Sequence, residues 1–194
     1  MKGKCISACN RGQRNKSDFY QTPYSMTEQF LGNEIFDYKK TVLEPACGNF
    51  AIATVIKTKF KLQNCYYDDL KYGFNFLEMR ESKEINYIIT NPPFSLAGEF
   101  IQKSKEVAKE KFAMLLPLYY LHGQKRYETK IFTDPDYPLT KVYVFTRYPM
   151  LTDTIRDDGK YNTGCIVYAW FVWERNPVFF FYPMIHWINN INIF

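Results

Sequence analysis

Three short clusters in this sequence combine residue types that could do chemistry together. Asn91-Pro92-Pro93-Phe94 follows the apolar run Asn86 to Thr90 and precedes an amphipathic stretch. Neither proline has an N–H with which to extend a ladder, so the pair stops a strand, fixes the backbone and points the Pro92 carbonyl outward. A side-chain amide, a rigid free carbonyl and an aromatic face are what an exocyclic amino group on a flat base needs. Taken alone, Asn-Pro-Pro also describes a proline-terminated strand with a satisfied Asn. The second cluster, Glu44-Pro45-Ala46-Cys47-Gly48, ends another short apolar run. There Gly48 permits close backbone approach, and the helix after it offers free N–H groups to an anionic group. The third is Asp68-Asp69. Asp69 lies 21 residues beyond Gly48, the spacing of the carboxylate that binds ribose hydroxyls in nucleotide folds. The same pair also reads as a solvated strand-to-turn junction.

The elements that must position these clusters follow from periodicity. Thr27 to Phe36 carries Phe30, Leu31 and Ile35 at helical spacing, with Ser25 or Thr27 as cap, and predicts a short amphipathic helix. Thr41 to Pro45 predicts a buried strand, Phe50 to Lys59 a helix, Asn64 to Asp69 a second strand and Asn86 to Thr90 a third. Ser95 to Lys111, with Phe100, Ile101, Val107 and Ala108 on its apolar side, predicts another helix, and Phe112 to Leu116 a strand ended by Pro117. Strands alternating with helices imply parallel strands joined by right-handed crossovers, hence a three-layer α/β sheet. Lys141 to Phe145 and Cys165 to Trp173 have no helical pattern between them and predict an antiparallel pair at one edge. Ligands of such sheets bind at the carboxyl ends of the strands, where strand order reverses, and all three clusters fall at strand ends.

Composition bounds the rest. The chain has 194 residues, a length that fits one domain with a real core and not two full-sized ones. Hydrophobic residues at 46%, aromatics at 19% and a mean hydropathy of -0.36 exclude a disordered or collagen-like chain and describe a soluble globular protein. The formal +5 resides in residues 1–17, where Lys2, Lys4, Arg11, Arg14 and Lys16 stand without an acid. This reads as a flexible basic arm suited to phosphate attraction, with residues 18–194 as a single domain. No apolar run reaches the roughly 18 residues of a bilayer span, and no apolar segment follows the early charges as a secretory signal requires. Five scattered cysteines and only two histidines, His122 and His186, match no disulfide framework or metal pattern. Reduced thiols, a cytosolic setting and no metal are the expectation.

With these residues in place, the sequence resembles the S-adenosylmethionine-dependent DNA N6-adenine methyltransferases of the small phage and prophage type. Glu44-Pro45-Ala46-Cys47-Gly48 is similar to their cofactor motif, and Thr90-Asn91-Pro92-Pro93-Phe94-Ser95 to their catalytic motif with Asn at its head. Enzymes acting on cytosine usually carry Ser there, so Asn91 points to adenine. Tyr20-Gln21-Thr22-Pro23 resembles the motif that contacts the methionine part of the cofactor. Phe74-Asn75-Phe76-Leu77 stands where an acid contacts the cofactor adenine, with Asn75 replacing that acid. Tyr119 to Tyr127 and the Tyr168 to Trp173 strand also resemble the phage-type pattern, so the likeness runs from about residue 18 to 173.

The resemblance implies a Rossmann-like methyltransferase sheet, mostly parallel with an antiparallel edge pair, in a bacterial or phage-infected cytosol, with restriction-modification as its context. It implies cofactor contacts from Tyr20, Thr22, Pro23, Glu44, Pro45, Ala46, Gly48, Asp69, Asn75 and Phe76. It implies catalysis at Asn91, Pro92, Pro93 and Phe94, and substrate contacts from Phe94, Ser95, Tyr119, Lys125 and Arg126, with adenine flipped out of DNA. No separate target-recognition domain is expected, and a partner subunit or a dimer would then serve recognition. RNA adenine, a protein glutamine, or a catalytically silent nucleic-acid-binding subunit are the rival readings. His122 reads as a surface or packing residue and Cys47 as a small packing residue.

Overall fold

The computed structural model describes residues 21–80, 84–146, 166–178 and 182–189. The basic arm, Tyr20, and the polar stretch between the last two predicted strands lie outside them. Among the described residues, seven strands form one sheet in the order β2-β1-β3-β4-β6-β5-β7. They are β1 Val42–Glu44, β2 Cys65–Tyr67, β3 Tyr87–Thr90, β4 Lys111–Pro117, β5 Leu139–Phe145, β6 Tyr168–Glu174 and β7 Met184–Ile188. The helices are α1 Tyr24–Asn33, α2 Ala51–Lys59, α3 Ala97–Val107 and the short α4 Gln124–Glu128. β1 pairs in parallel with both β2 and β3, and β3 with β4. β6 runs antiparallel between β4 and β5.

Strand order reverses between β1 and β3. The β1-α2-β2 unit advances one way across the sheet and β3-α3-β4 the other, so right-handed crossovers place α2 and α3 on opposite faces. The two apolar clusters record this. One joins Met26 and Phe30 of α1 and Ile52 and Val55 of α2 to Val42, Ile89, Leu115 and Trp170. The other joins Phe100 and Ile101 of α3 to Leu43, Ile88, Met114 and Phe171. Adjacent strand residues go to opposite clusters because side chains alternate across a strand. Phe30 stacks on Trp170 with ring centroids 4.5 Å apart, fixing α1 to the sheet.

Three expectations are corrected in detail. α1 begins just after Pro23, its N-cap, with no side-chain cap from Ser25 or Thr27. Its apolar periodicity stops at Leu31: Ile35 is 83% exposed, whereas Glu34 and Phe36 are buried. Beyond Asn33 the chain is extended, and the period changes from the helical value to two. The α3 helix ends at Val107, so Lys111 opens β4 instead of closing the helix. Finally, β5 and β6 pair antiparallel as their patterns predict, but β7 takes the edge, parallel to β5. This strand, Met184–Ile188, lies beyond Glu174, where hydrophobic periodicity predicts no element.

Two buried carboxylates join helices to the sheet. Glu34, whose side chain is 0% exposed, receives Lys111 Nζ at 2.7 Å, Lys141 Nζ at 3.1 Å and the Tyr143 hydroxyl at 2.8 Å. Burial works to lower the Lys111 pKa, but Glu34 and Glu174 overcome it and hold the ammonium above its usual value. Glu44, at the end of β1, is 2% exposed and accepts the Ala53 N–H in the first turn of α2. Burial pushes the Glu44 carboxyl well above the ordinary range, and neighbouring Asp69 adds to this. The Ala53 N–H and Lys57 oppose it.

These carboxylates generate two predictions. Glu34→Gln leaves two half-buried lysines sharing Glu174, and urea unfolding should show a loss of about 3–5 kcal/mol, the scale of breaking a buried ion pair; a loss within about 0.5 kcal/mol, the range of surface substitutions, would contradict it. For Glu44 the folded pKa exceeds the unfolded one, so its contribution to stability is complete below the unfolded value and is lost as pH rises through the folded value. Wild-type stability should therefore fall from about pH 4.5 upward by as much as about 1.4 kcal/mol per pH unit from this group. Glu44→Gln should lack that component in unfolding measured across a pH series, and equal slopes in the two proteins would refute the assignment.

Candidate functional site

β1 and β3 are neighbours and point the same way, so the turns leaving their carboxyl ends emerge side by side. The first is the glycine turn. Gly48 has φ 50° and Phe50 has φ 62°, both in the left-handed region. Glycine adopts that conformation at no steric cost, but Phe50 does so against its Cβ. Its ring stacks on Tyr72 at 5.6 Å and meets Tyr67 edge-on at 5.7 Å. The Lys71 ammonium lies over the Tyr72 ring at 4.9 Å and donates to the Gly48 carbonyl. An aromatic clasp thus closes a turn that has one glycine where two would relax it.

Asp69 is built into the same turn. One carboxylate oxygen accepts the Gly48 N–H at 2.8 Å and the other the Lys71 N–H at 3.0 Å. The backbone continues the pairing, with Asp68 N donating to the Glu44 carbonyl and Cys47 N to the Asp68 carbonyl, each at 3.0 Å. Asp69 is therefore more than a solvated junction: it holds the glycine turn. Each of its oxygens has a second lone pair with which to accept from a further donor. Pro45 is buried and Ala46 half-buried within this turn. Cys47 is 3% exposed, and burial, with help from Glu44 and Asp69, pushes its thiol up to about 12. A thiol so held is protonated at neutral pH, in keeping with a packing role.

The second turn carries Asn91 to Phe94. Asn91 is half-buried, and its Nδ2 donates to the Thr22 hydroxyl oxygen at 3.1 Å. Pro92 is buried and Pro93 half-buried, and Pro93 caps the 3₁₀ turn Phe94–Leu96 that leads into α3. Phe94 stacks on Tyr168 of β6 with centroids 5.6 Å apart. Thr22 is 4% exposed, and Pro23 beside it is buried. Gln21 Oε1 accepts from Asn49 Nδ2 at 3.4 Å. The Gln21-Thr22-Pro23 segment therefore touches both turns, a link that no spacing in the sequence announces.

The remaining predicted site residues divide. Asn75 caps its own 3₁₀ turn, accepting the Leu77 N–H at 3.1 Å and donating to Glu78 at 2.7 Å. Phe76 is 2% exposed and packs on Phe100 at 5.1 Å, so its side chain belongs to the core. Ser95, Lys125 and Arg126 come together on a cavity of about 580 Å³ between α3 and α4, with Tyr120 at its wall. Arg126 lies over the Tyr120 ring at 4.0 Å and donates to the His122 carbonyl. Tyr119 is 59% exposed and does not line this cavity, and His122 is exposed. Among the described residues, no three or more His, Cys, Asp or Glu side chains gather as metal ligands, and no helix is long and apolar enough to cross a membrane.

No family model matches this chain, and no curated protein matches it in sequence. Its fold does match solved structures. A class I S-adenosylmethionine-dependent methyltransferase from Listeria monocytogenes, itself assigned provisionally, is 13% identical, with a TM-score of 0.56 over 92% of this chain and 68% of the other. The M protein of the type I restriction enzyme EcoKI is 13% identical, with a TM-score of 0.56 over 84% of this chain and 45% of the other. The 23S rRNA methyltransferase ErmE is 11% identical, with a TM-score of 0.56 over 84% and 72%. This chain thus spans less than half the length of the EcoKI subunit and most of the other two. At these identities the likeness establishes architecture alone: a Rossmann-like, mostly parallel α/β sheet with an antiparallel pair, shared with these structures.

Proposed function

We propose that this chain transfers a methyl group from S-adenosylmethionine to the exocyclic amino group of adenine in DNA. The observation that carries the reading is the Asn91 turn at the end of β3, beside the Gly48 turn at the end of β1, in a methyltransferase fold. The residues present fit the cofactor: a left-handed glycine turn at the end of β1, and a carboxylate at Asp69 whose second lone pairs suit a ribose diol. Glu44 to Gly48, Asp69, Asn75, Thr22 and Pro23 would hold it, with the Asn75 amide oxygen accepting more weakly than a carboxylate would. When bound, the cofactor supplies an electrophilic sulfonium methyl.

The protein's part is to make a poor nucleophile attack. Adenine's amino lone pair is delocalised into the ring. Asn91 Oδ1 and the Pro92 carbonyl accept the two amino hydrogens, draw the nitrogen toward tetrahedral geometry and aim its lone pair. No base is needed before transfer, because the proton leaves afterward. The target must be flipped out of the duplex, and Phe94, already stacked on Tyr168, offers it a face. Orientation and fixed dipoles supply the acceleration. Lys125 and Arg126 would take neighbouring phosphates, the basic arm would add sequence-independent attraction, and a partner subunit or second copy in the cytosol would supply target recognition.

The test is single-turnover transfer of labelled methyl to DNA, RNA and protein in turn, with the product identified by mass spectrometry. Label on adenine N6 of DNA is expected. Asn91→Ala should lower transfer by roughly 10²–10³-fold with cofactor binding nearly intact, the scale of losing one preorganised contact. In calorimetry, Asp69→Ala should weaken cofactor binding by on the order of 1–3 kcal/mol. Label confined to RNA would move the substrate to the reading that the ErmE likeness favours. Wild-type transfer by Asn91→Ala would remove this turn from the chemistry.

A further inference from the structure

Thr22 stands in a segment whose resemblance points to the cofactor, yet its hydroxyl is directed at Asn91, 69 residues away in sequence. We propose that Thr22 is a positioning residue for Asn91, fixing which end of the side-chain amide faces the substrate. This rests on the methyl-transfer reading above.

A terminal amide rotates in a broad, roughly two-fold well, so an Asn at the mouth of a site can present either oxygen or nitrogen. Only the oxygen accepts a hydrogen from an amino group; an amide turned the other way offers two donors to a group that is itself a donor. The Thr22 oxygen takes the Nδ2 side at 3.1 Å and so directs Oδ1 away from itself. Thr22 is able to do this because it is held. It is 4% exposed and precedes Pro23, which is buried, sets the chain direction as the α1 N-cap and accepts the Met26 N–H at 3.1 Å. The preceding residue, Gln21, is tied to Asn49 of the glycine turn at 3.4 Å. A shift of either turn would therefore be felt at the Thr22 hydroxyl, which joins the cofactor turn to the amide that handles the substrate. Methyl transfer needs both at once, and a bond between the segments aligns them before substrate arrives.

Thr22→Val keeps the shape and removes the acceptor, and Thr22→Ser keeps the hydroxyl. Under single turnover with saturating cofactor and DNA, Thr22→Val should slow transfer by on the order of 10-fold with the apparent KM for DNA little changed, and Thr22→Ser should recover most of the loss. Added to Asn91→Ala, Thr22→Val should cost nothing further, since the partner is already gone. Independently of activity, the Asn91 side-chain amide in ¹⁵N-labelled protein should shift and exchange faster with water in Thr22→Val and revert in Thr22→Ser. Additive losses in the double variant, or weakened cofactor binding with an unchanged transfer rate, would overturn the proposal. Should the wild type transfer methyl to no substrate, the functional reading fails on its own. The amide signal then decides the geometry: unmoved in Thr22→Val, it overturns the positioning role, and moved, it upholds it.

Discussion

The parallel pairing of β1 with β3 is the constraint on which the site depends. It joins Val42 to Tyr87 and Leu43 to Ile88, four buried residues from runs some forty positions apart. Because the chain turns away from this pair in opposite directions, α2 and α3 leave on opposite faces and cannot fill the space above it. The Gly48 and Asn91 turns both open into that space. Any change that slid β1 against β3 by one residue would exchange the two faces of each strand and carry both turns out of alignment. The buried β-branched and aromatic side chains of the pair make such a slip costly.

On this frame the site is held by its own members. Asp69 closes the Gly48 turn, Thr22 orients Asn91, and Phe94 rests on Tyr168. Each of these contacts crosses from one sequence segment to another. A preorganised site gains more from such contacts than from flexible residues that must be ordered on binding. The far end of the sheet serves the same purpose less directly. There Glu34, at the close of α1, is bound by Lys111 and Lys141, which anchors the helix whose N-cap is Pro23 and thereby the Thr22 beside it.

Much of this was legible in the sequence, for reasons that also explain what was not. Strands β1 to β4 and helices α2 and α3 carry their own hydrophobic period and their own stops at Pro45, Pro92 and Pro117, so local chemistry declares them. Asp69 could be picked out by its distance from Gly48, but its part in closing the turn could not, since that depends on where two strands end in space. Phe76 reads as a site residue through its motif neighbours, whereas its side chain is buried against Phe100, a contact that no local pattern announces. Ile35 misled in the opposite way, fitting a helical stripe that the chain leaves at Asn33. β7 gives little pattern to read because its Met184, Ile185 and Trp187 are largely exposed and, of its five residues, only Ile188 is buried. The Thr22 to Asn91 bond was invisible for the plainest reason: nothing in either residue names the other.

Phe50 shows how a departure from a familiar pattern can leave the geometry intact. A left-handed non-glycine residue costs on the order of 1–2 kcal/mol, and a second glycine would avoid it. Here the ring that creates the cost stacks on Tyr72, worth about 0.5–1.5 kcal/mol, and Lys71 over Tyr72 adds about 0.5–1 kcal/mol at a surface site. The opposing quantities are similar in size, so the turn keeps its shape without the second glycine. What changes is its surroundings: a bare peptide is replaced by an aromatic clasp that ties the end of β2 to the end of β1. Sparse glycine in this motif therefore speaks to the shape and polarity of the space beside the turn, while Gly48 itself is held by Asp69 and Lys71.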